Sequence, residues 1–472
     1  VTQGTQDLQR SLEAIVGASQ TFTGDDIGER YRLDMGRKYA AKPAAMVRPS
    51  STEEVAAVVK AAAQHGAPVT VIGGQTGTCG SAVPADGGIA LSLERMNRIE
   101  EIDPLSMTMT VEAGCVLQTA HEAAEAVGLL LPLDLGARGS ATIGGAIGTN
   151  AGGNRVLRWG MMRDMVIGLE AVLADGTVVS SLTKMLKDNA GYNWKHLLIG
   201  SEGTLAIVTR AVLRLRPLPT TRQTAIVAAG SFEDAVRVLR RLEVGLSGRL
   251  SSFELMWEDF FTRLTEAQLK DRPRPLPLGF PFYALIEAMG GDEAGDSAQF
   301  ERVLAELLEE NIVLDAVIAQ SEREREGLWA VREDLSPAFT PMRPFSSYDV
   351  SMGLADMAWF VEEARRNLRE AFPQIQMVFY GHAGDGNVHA VVSAGAMDAT
   401  IQERLDRAVF DAVKAVNGSI AAEHGIGVTR APYLTWTRTP QELELMRKLK
   451  ETLDPGHILN PGKLLDAMTK DR

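Results

Sequence analysis

Residues 134–153 read DLGARGSATIGGAIGTNAGG, and residues 71–84 read VIGGQTGTCGSAVP. Glycine loses more conformational freedom on ordering than any other residue, so runs this rich in it are a costly way to make mere linkage. They suit a backbone lying close against a large flat ligand. In the longer run, Asp134, Gly136, Ala141, Thr142, Gly144, Gly145, Asn150, Gly152 and Gly153 are the candidates to line that ligand. The earlier run leaves a strand-like segment, PVTVIGG, and enters a loop from Gly73 to Ser81. Glycines let successive N–H groups turn inward, a concavity that suits a pyrophosphate. Gly73, Gly74, Gln75, Thr76, Gly77, Gly80 and Ser81 are the candidates there. The spacing is neither that of a Rossmann fingerprint nor that of a P-loop with its lysine. A third glycine region follows, KDNAGY at 187–192 and IGSEGTL at 199–205, with Gly203 and the nearby Ile207 as candidates. Any one of these loops alone reads as a surface turn; three in order do not.

The whole chain has 472 residues, enough for two to four domains and a large core. Its 45% hydrophobic and 23% charged residues are those of an ordinary globular protein. The net charge of −13 argues against nucleic acid or an anionic membrane surface as a broad partner. Two cysteines, Cys79 and Cys115, make neither a disulfide framework nor a thiolate zinc site. VTQGTQDLQR lacks the basic leader and apolar run of a signal peptide, and the apolar runs are too short to span a bilayer. We therefore expect a cytoplasmic protein, peripheral to a membrane at most.

Local patterns predict an amphipathic helix over 52–66, capped by Ser51 or Thr52 and stopped by Gly66. Strands are predicted at PVTVIGG, GIALSL, MTMTVEAG and AIVTRAVLRLRPLP, the last ending in a proline-rich boundary near residue 219. Beyond about residue 221 the texture becomes that of a second α+β unit, with strands at TAIVAAG and FYALIEAMG and helices near 232–243, 295–311 and 401–417. The charge run QSEREREGLWAVREDLS reads as a solvated helix face, with Arg332 after an apolar triplet as its exception.

Histidine supplies the sharpest signal. His382 and His389 stand at the ends of HAGDGNVH, and His424 follows Glu423 in AEHGIG. A strand–turn–strand brings His382 and His389 together, and Glu423 adds an anionic oxygen. Two imidazoles and a carboxylate half-fill a coordination shell, as at a catalytic metal centre that leaves positions for substrate. His65, His121, His196 and His457 have no such company and read as structural.

These motifs together resemble a known family. The glycine regions, with RVLRWGMMRDMVIGLEAVLADGTVV between them, look like the FAD-binding domain of the vanillyl-alcohol-oxidase type. GHAGDGNVH, GSIAAEHGIG and LDPGHILNPGK look like the C-terminal half of the FAD-linked D-2-hydroxyacid dehydrogenases, and PLDLGARGS followed by KDNAGY is most similar to the D-2-hydroxyglutarate dehydrogenases among them. The resemblance implies an α+β fold: a two-subdomain FAD-binding domain over 1–220, a cap with an antiparallel sheet over 221–425, and a segment over 426–472 that returns to the FAD domain. It implies FAD lying along the three glycine regions, with Asn460 of the tail motif added to the cofactor set. Gln75 stands in the stretch where some relatives carry a histidine bonded to flavin, so non-covalent FAD is expected.

The resemblance further implies a divalent cation, zinc or manganese, on His382, His389 and Glu423, with Asn387 on the substrate and His424 as the base. Arg332 and Ser336 match the family's grip on a substrate carboxylate. The family has a lysine just before Tyr-Asp of the next strand, whereas this chain has Ser347; Arg343 lies four residues upstream. That departure weakens the expectation of a dicarboxylate such as D-2-hydroxyglutarate and leaves D-lactate or glycolate open. An electron-transfer flavoprotein or a quinone is the expected electron acceptor, and a homodimer is compatible. A flavin-binding subunit of an oxidase complex and an alkyl-transferring flavoprotein are the competing readings; the first predicts a broken cap, the second no net redox turnover.

Overall fold

The computed structural model describes residues 3–269 and 273–465. The chain divides into two compact units. The first comprises Val1–Gly153, Gly160–Leu218 and Glu423–Arg472; the second comprises Asn154–Trp159 and Pro219–Ala422.

The first unit is built on two sheets. One has four strands in the order Thr21–Phe22, Ala45–Val47, Ile89–Ser92, Val69–Ile72, the last three parallel. The helix Thr52–His65 joins two of these parallel strands, as a parallel pair requires. Ser51 caps its start by accepting from the Glu54 N–H, and Gly66 ends it in the left-handed region at φ 60°. The second sheet is antiparallel, in the order Ile99–Asp103, Thr108–Glu112, Ile207–Arg214, Val166–Val172, Val178–Ser181. Buried Glu170 ties helix to sheet: it accepts from Thr52 Oγ1 at 2.7 Å and from Arg210 Nε and Nη2 at 2.9 and 2.7 Å. The returning C-terminal segment adds to the parallel sheet, where Val69 N–H donates to Ile458 O and Asn460 N–H donates to Val69 O, each at 2.7 Å.

The second unit is a seven-stranded antiparallel sheet with helices. Its order is Asp315–Ile318, Thr221–Ala229, Phe282–Gly290, Leu250–Trp257, Gln376–His382, Asn387–Ser393, Ser346–Ser351. One face is sealed by an apolar cluster in which Phe260, Phe261, Leu328, Val331 and Phe339, all from helices, pack on Met256, Tyr283, Leu285, Val378 and Val391 of the strands. Among the described residues no helix is long and apolar enough to cross a membrane.

Candidate active site

In the first unit the three glycine regions meet. A Cβ on Gly73 would sit 2.5 Å from Thr142 Oγ1, and one on Gly74 would sit 1.9 Å from the carbonyl oxygen of Ser140. Only glycine permits that approach. Thr142 caps the short helix Ile143–Thr149 by accepting from the Gly145 N–H at 3.2 Å, and Asn150 closes it at φ 51°. Gly144 packs on Ala113, and Gly153 packs on the carbonyl of Asp134, whose side chain accepts from Arg138 at 2.9 Å. Ala141 O accepts from Leu117 N–H at 2.8 Å. Gly136 and Gly77 are exposed, Thr76 is half-buried, and Gly152 is buried. Gln75 stands at φ 55° with its side chain bonded to Arg30. Gly203 lies against Val71, and Ile207 opens the strand that pairs with Val172.

Asn460 and Glu202 clamp these loops. Asn460 is 1% exposed; its amide donates to Ser81 O and Glu202 O at 3.0 and 2.7 Å and accepts from Thr70 at 3.1 Å. Glu202 accepts from Ser81 Oγ and from the N–H groups of Ile426 and Gly427, the last two at 2.7 and 2.8 Å. Gln75, Asn150, Glu202 and Asn460 all hold positive φ without being glycine. Strain of that kind gathers at ligand clamps. The loops thus bring backbone from distant stretches to one place with few side chains in the way, which fits a cofactor held by main-chain groups.

The AEHGIG loop is pinned to the same region. Cys79 Sγ lies 3.2 Å from His424 O, and buried Arg430 donates to Cys79 Sγ at 2.9 Å and to Gly425 O at 2.7 Å. Glu423 accepts from the Gly153 N–H at 2.7 Å.

The second unit gathers side chains on one face of its sheet. Residues directly opposite in an antiparallel pair share a face. Glu254 pairs with His382, Tyr380 with His389, and His389 with Asp349. All five, with Asn387 and Ser347 two residues along their strands, therefore line one face. The turn between His382 and His389 needs its glycines: a Cβ on Gly381 would meet Asn387 O at 2.3 Å, and Gly386 stands at φ 82° against Met352 O. The two imidazoles lie 5.1 Å apart, centroid to centroid, and each offers a ligand nitrogen within 4.8 Å of the other's.

Each imidazole has a buried carboxylate at Nδ1. Glu254 Oε1 is 2.7 Å from His382 Nδ1, and Asp349 Oδ1 is 3.7 Å from His389 Nδ1. A carboxylate only accepts, so His382 carries its proton on Nδ1, and Nε2 is the ligand nitrogen it offers. Burial alone would raise the Glu254 carboxyl, but the Nδ1 proton of His382 and the Arg332 guanidinium hold it below its ordinary value. Arg332 is 5% exposed and stacks on Tyr380 at 4.6 Å. Its Nη2 is 2.9 Å from Glu254 Oε2, in ionic contact, yet neither that oxygen nor Arg332 Nε completes a hydrogen bond. Asn387 Nδ2 donates to Asp349 Oδ1 and Val350 O at 2.8 and 3.1 Å, which fixes the amide and leaves its Oδ1 buried without a partner. Ser336 is exposed and opens a short helix; Arg343 and Ser347 are exposed as well. Glu423 begins one peptide bond beyond Ala422, whose N–H donates to Asp349 O at 3.2 Å.

Residues 218–464 match the family of FAD linked oxidases, C-terminal domain, and residues 43–181 match an FAD binding domain. A D-2-hydroxyglutarate dehydrogenase of Xanthomonas citri pv. viticola is 38% identical over 97% of this chain and 96% of its own. The mitochondrial D-2-hydroxyglutarate dehydrogenase of Bos taurus is 35% identical over 98% and 84%. The chain belongs to the FAD-linked D-2-hydroxyacid dehydrogenase family. This family member is an FAD-dependent oxidoreductase that acts on a CH–OH group of a small molecule. Its fold is shared with a substrate-bound p-cresol methylhydroxylase, TM-score 0.77 at 18% identity over 99% of this chain and 98% of that one. An alkyldihydroxyacetonephosphate synthase shares it too, TM-score 0.75 at 18% identity over 96% and 85%. The fold is thus the α+β vanillyl-alcohol-oxidase type that the motifs resemble.

Sequence alone assigns no role to Glu254, Asp349 or Glu202, nor the clamping role to Asn460. The signal for Glu254 was a lone acid in the otherwise uncharged run LSSFELMW, where a buried strand leaves no room for a solvated carboxylate.

Proposed function

We propose that this dehydrogenase oxidises D-2-hydroxyacids, D-2-hydroxyglutarate or a near relative, to 2-oxoacids, using non-covalent FAD and one divalent cation, zinc or manganese. The observation that carries the substrate class is the buried Arg332 guanidinium with its Nε unused, on the same carboxylate as His382, beside the unpartnered Asn387 Oδ1. A buried cation with free donors suits a carboxylate, and an orphaned acceptor suits a hydroxyl hydrogen.

His382, His389 and Glu423 would hold the cation. The donor set fits: neutral imidazoles and one carboxylate suit zinc or manganese, and with Nδ1 on Glu254 it is Nε2 that His382 offers. Bound, the cation makes a hydroxyl more acidic, and FAD accepts the electron pair and hydrogen of the Cα–H bond. The chain's own residues do the rest. Arg332, with Ser336, anchors a carboxylate. Asn387 Oδ1 orients the hydroxyl, and His424 takes its proton as the Cα–O bond becomes a carbonyl. The glycine regions hold FAD, with Gly153 N–H fixing the Glu423 carboxylate. We assign residues 1–220 to FAD, 221–425 to the substrate cap and 426–472 to the returning segment, and we place the protein in the cytoplasm or at a membrane surface, passing electrons to an electron-transfer flavoprotein or quinone in an arrangement compatible with a homodimer.

Anaerobic mixing with a panel of D- and L-2-hydroxyacids tests this. Flavin bleaching by D-acids alone is the expected result. No bleaching by any of them would favour a flavin-binding or alkyl-transferring role. Acid precipitation should release the flavin into the supernatant; colour retained in the pellet would overturn non-covalent binding.

A further inference from the structure

The face that carries the histidines has two buried carboxylates, and each touches one imidazole and one substrate-facing side chain. Asp349, 1% exposed, joins His389 to Asn387. Glu254, also 1% exposed, joins His382 to Arg332. The second case is the tighter. Its Oε1 is 2.7 Å from His382 Nδ1 and accepts from Ser252 Oγ at 2.9 Å, while Oε2 faces the guanidinium at 2.9 Å. A buried carboxylate with no structural task would be expensive. Here its desolvation is offset by two cationic or proton-donating partners, both at the site and neither elsewhere in the fold. This single group ties the end of one neighbouring strand and one helix to its own strand.

We propose that Glu254 is a positioning residue: it fixes the tautomer and orientation of His382 so that Nε2 faces a divalent cation, and with its other oxygen it holds Arg332 ready for the substrate carboxylate. The proposal rests on the cation reading for His382. An imidazole that gives its second N–H to a carboxylate is oriented and made a better ligand, and losing such a partner typically costs 10–100-fold in metal affinity. The shared carboxylate also means that cation and substrate anchor are set by one side chain.

The test uses full-length flavin-loaded protein, freed of metal by chelator and titrated with zinc against a chromophoric competitor. Glu254→Gln should weaken zinc binding by roughly 10–100-fold and raise the KM for D-2-hydroxyglutarate at saturating zinc, with flavin content unchanged. Because Glu254→Gln leaves Arg332 buried without its counter-charge and so threatens folding, a second variant, Glu254→Met with Arg332→Met, removes both charges at similar volume. Weak zinc binding should persist in it. Zinc affinity within about twofold of wild type in either variant would overturn the proposal, since Arg332's stranded charge or nothing at all would then be the cause. Wild-type protein that binds no zinc or manganese at all would instead overturn the cation reading beneath it.

Discussion

The glycine loops of the first unit and the sheet face of the second build sites by opposite means. In the first, side chains are removed so that main chain can approach: Gly74 leaves space that a single methyl group would fill, 1.9 Å from Ser140 O. In the second, side chains are added to a rigid sheet, and their exact aim depends on buried partners such as Glu254 and Asp349. A backbone-built site needs many residues in a contiguous pattern. A side-chain-built site needs few, drawn from strands far apart in the chain. The first kind holds a large cofactor; the second can hold small charged groups in defined directions.

The sharpest way to break this comparison is a double dissociation. Gly74→Ala should force the loops at residues 74 and 140 apart and cost most of the bound flavin, read as the flavin-to-protein absorbance ratio after gel filtration. His382→Ala should keep its flavin and lose turnover by at least about a thousandfold, the several kcal/mol of charge stabilisation that a cation supplies. If His382→Ala also sheds flavin, the two sites are not separable in this way. Next in size is His424→Ala. Flavin and metal contents should stay at wild-type levels while anaerobic flavin reduction slows by roughly 10²–10⁴-fold, the usual contribution of a general base. Reduction at the wild-type rate would take His424 out of the chemistry.

Two buried glutamates carry the comparison into stability. Glu170 of the first unit is fully satisfied, accepting from Arg210 twice, from Thr52 and from Thr209 at 3.0 Å. Burial alone would raise its carboxyl, but these partners hold it down to about 2. A folded value below the unfolded one contributes stability that is full above the ordinary carboxylate range and is lost as pH falls toward the folded value. Glu170→Gln should therefore be less stable than wild type by about 2–3 kcal/mol in urea unfolding near neutral pH, with the gap closing between about pH 5 and pH 2. A gap that does not shrink with acid would mean that Glu170 acts by shape rather than charge. Glu254, by contrast, keeps an oxygen short of a hydrogen bond, as a group reserved for a site does.

The two regions also differ in how far they can be read from sequence. The glycine runs are local, so their order along the chain carries the fold and the cofactor. The helix at Thr52–His65 and the strands at Val69–Ile72, Ile89–Ser92 and Thr108–Glu112 stand where capping residues and apolar runs place them. In the second unit the HAGDGNVH turn is equally local, and His382 and His389 meet across it. The strand Leu250–Trp257 is one that sequence patterning misses. All eight of its residues are buried, so it shows no alternation, and a short run without period cannot be told from a buried helix segment. Glu254 is hidden with it. Its link to His382 spans 128 positions, which no spacing rule reaches. The helix Met357–Ala371 goes unread although its pattern is legible: Met357, Phe360, Val361, Ala364 and Leu368 recur at helical spacing along its buried side.

Ser347 offers the smallest and most selective test of the sheet face. It is exposed, pairs with Val391, and lies two residues from Asp349 on the face that bears His389, about 7 Å along the strand. A lysine there would point the same way as Asp349, and its ammonium would add a second cation to the carboxylate grip proposed for Arg332 and Ser336. One guanidinium gives a strong anchor, with charge-assisted bonds worth roughly 1.5–3 kcal/mol each, but it penalises an uncharged tail only weakly. Wild type should therefore accept D-2-hydroxyglutarate and also reduce its flavin with neutral-tailed acids such as D-lactate at usable rates. Ser347→Lys should raise the ratio of kcat/KM for the dicarboxylate over D-lactate by roughly tenfold, the equivalent of about 1.4 kcal/mol. Arg343 sits on the approach to the same strand and is exposed, so Arg343→Met is the control: if wild type already rejects D-lactate by many orders of magnitude and Arg343→Met relaxes that rejection, Arg343 supplies the second cation and Ser347 is a bystander.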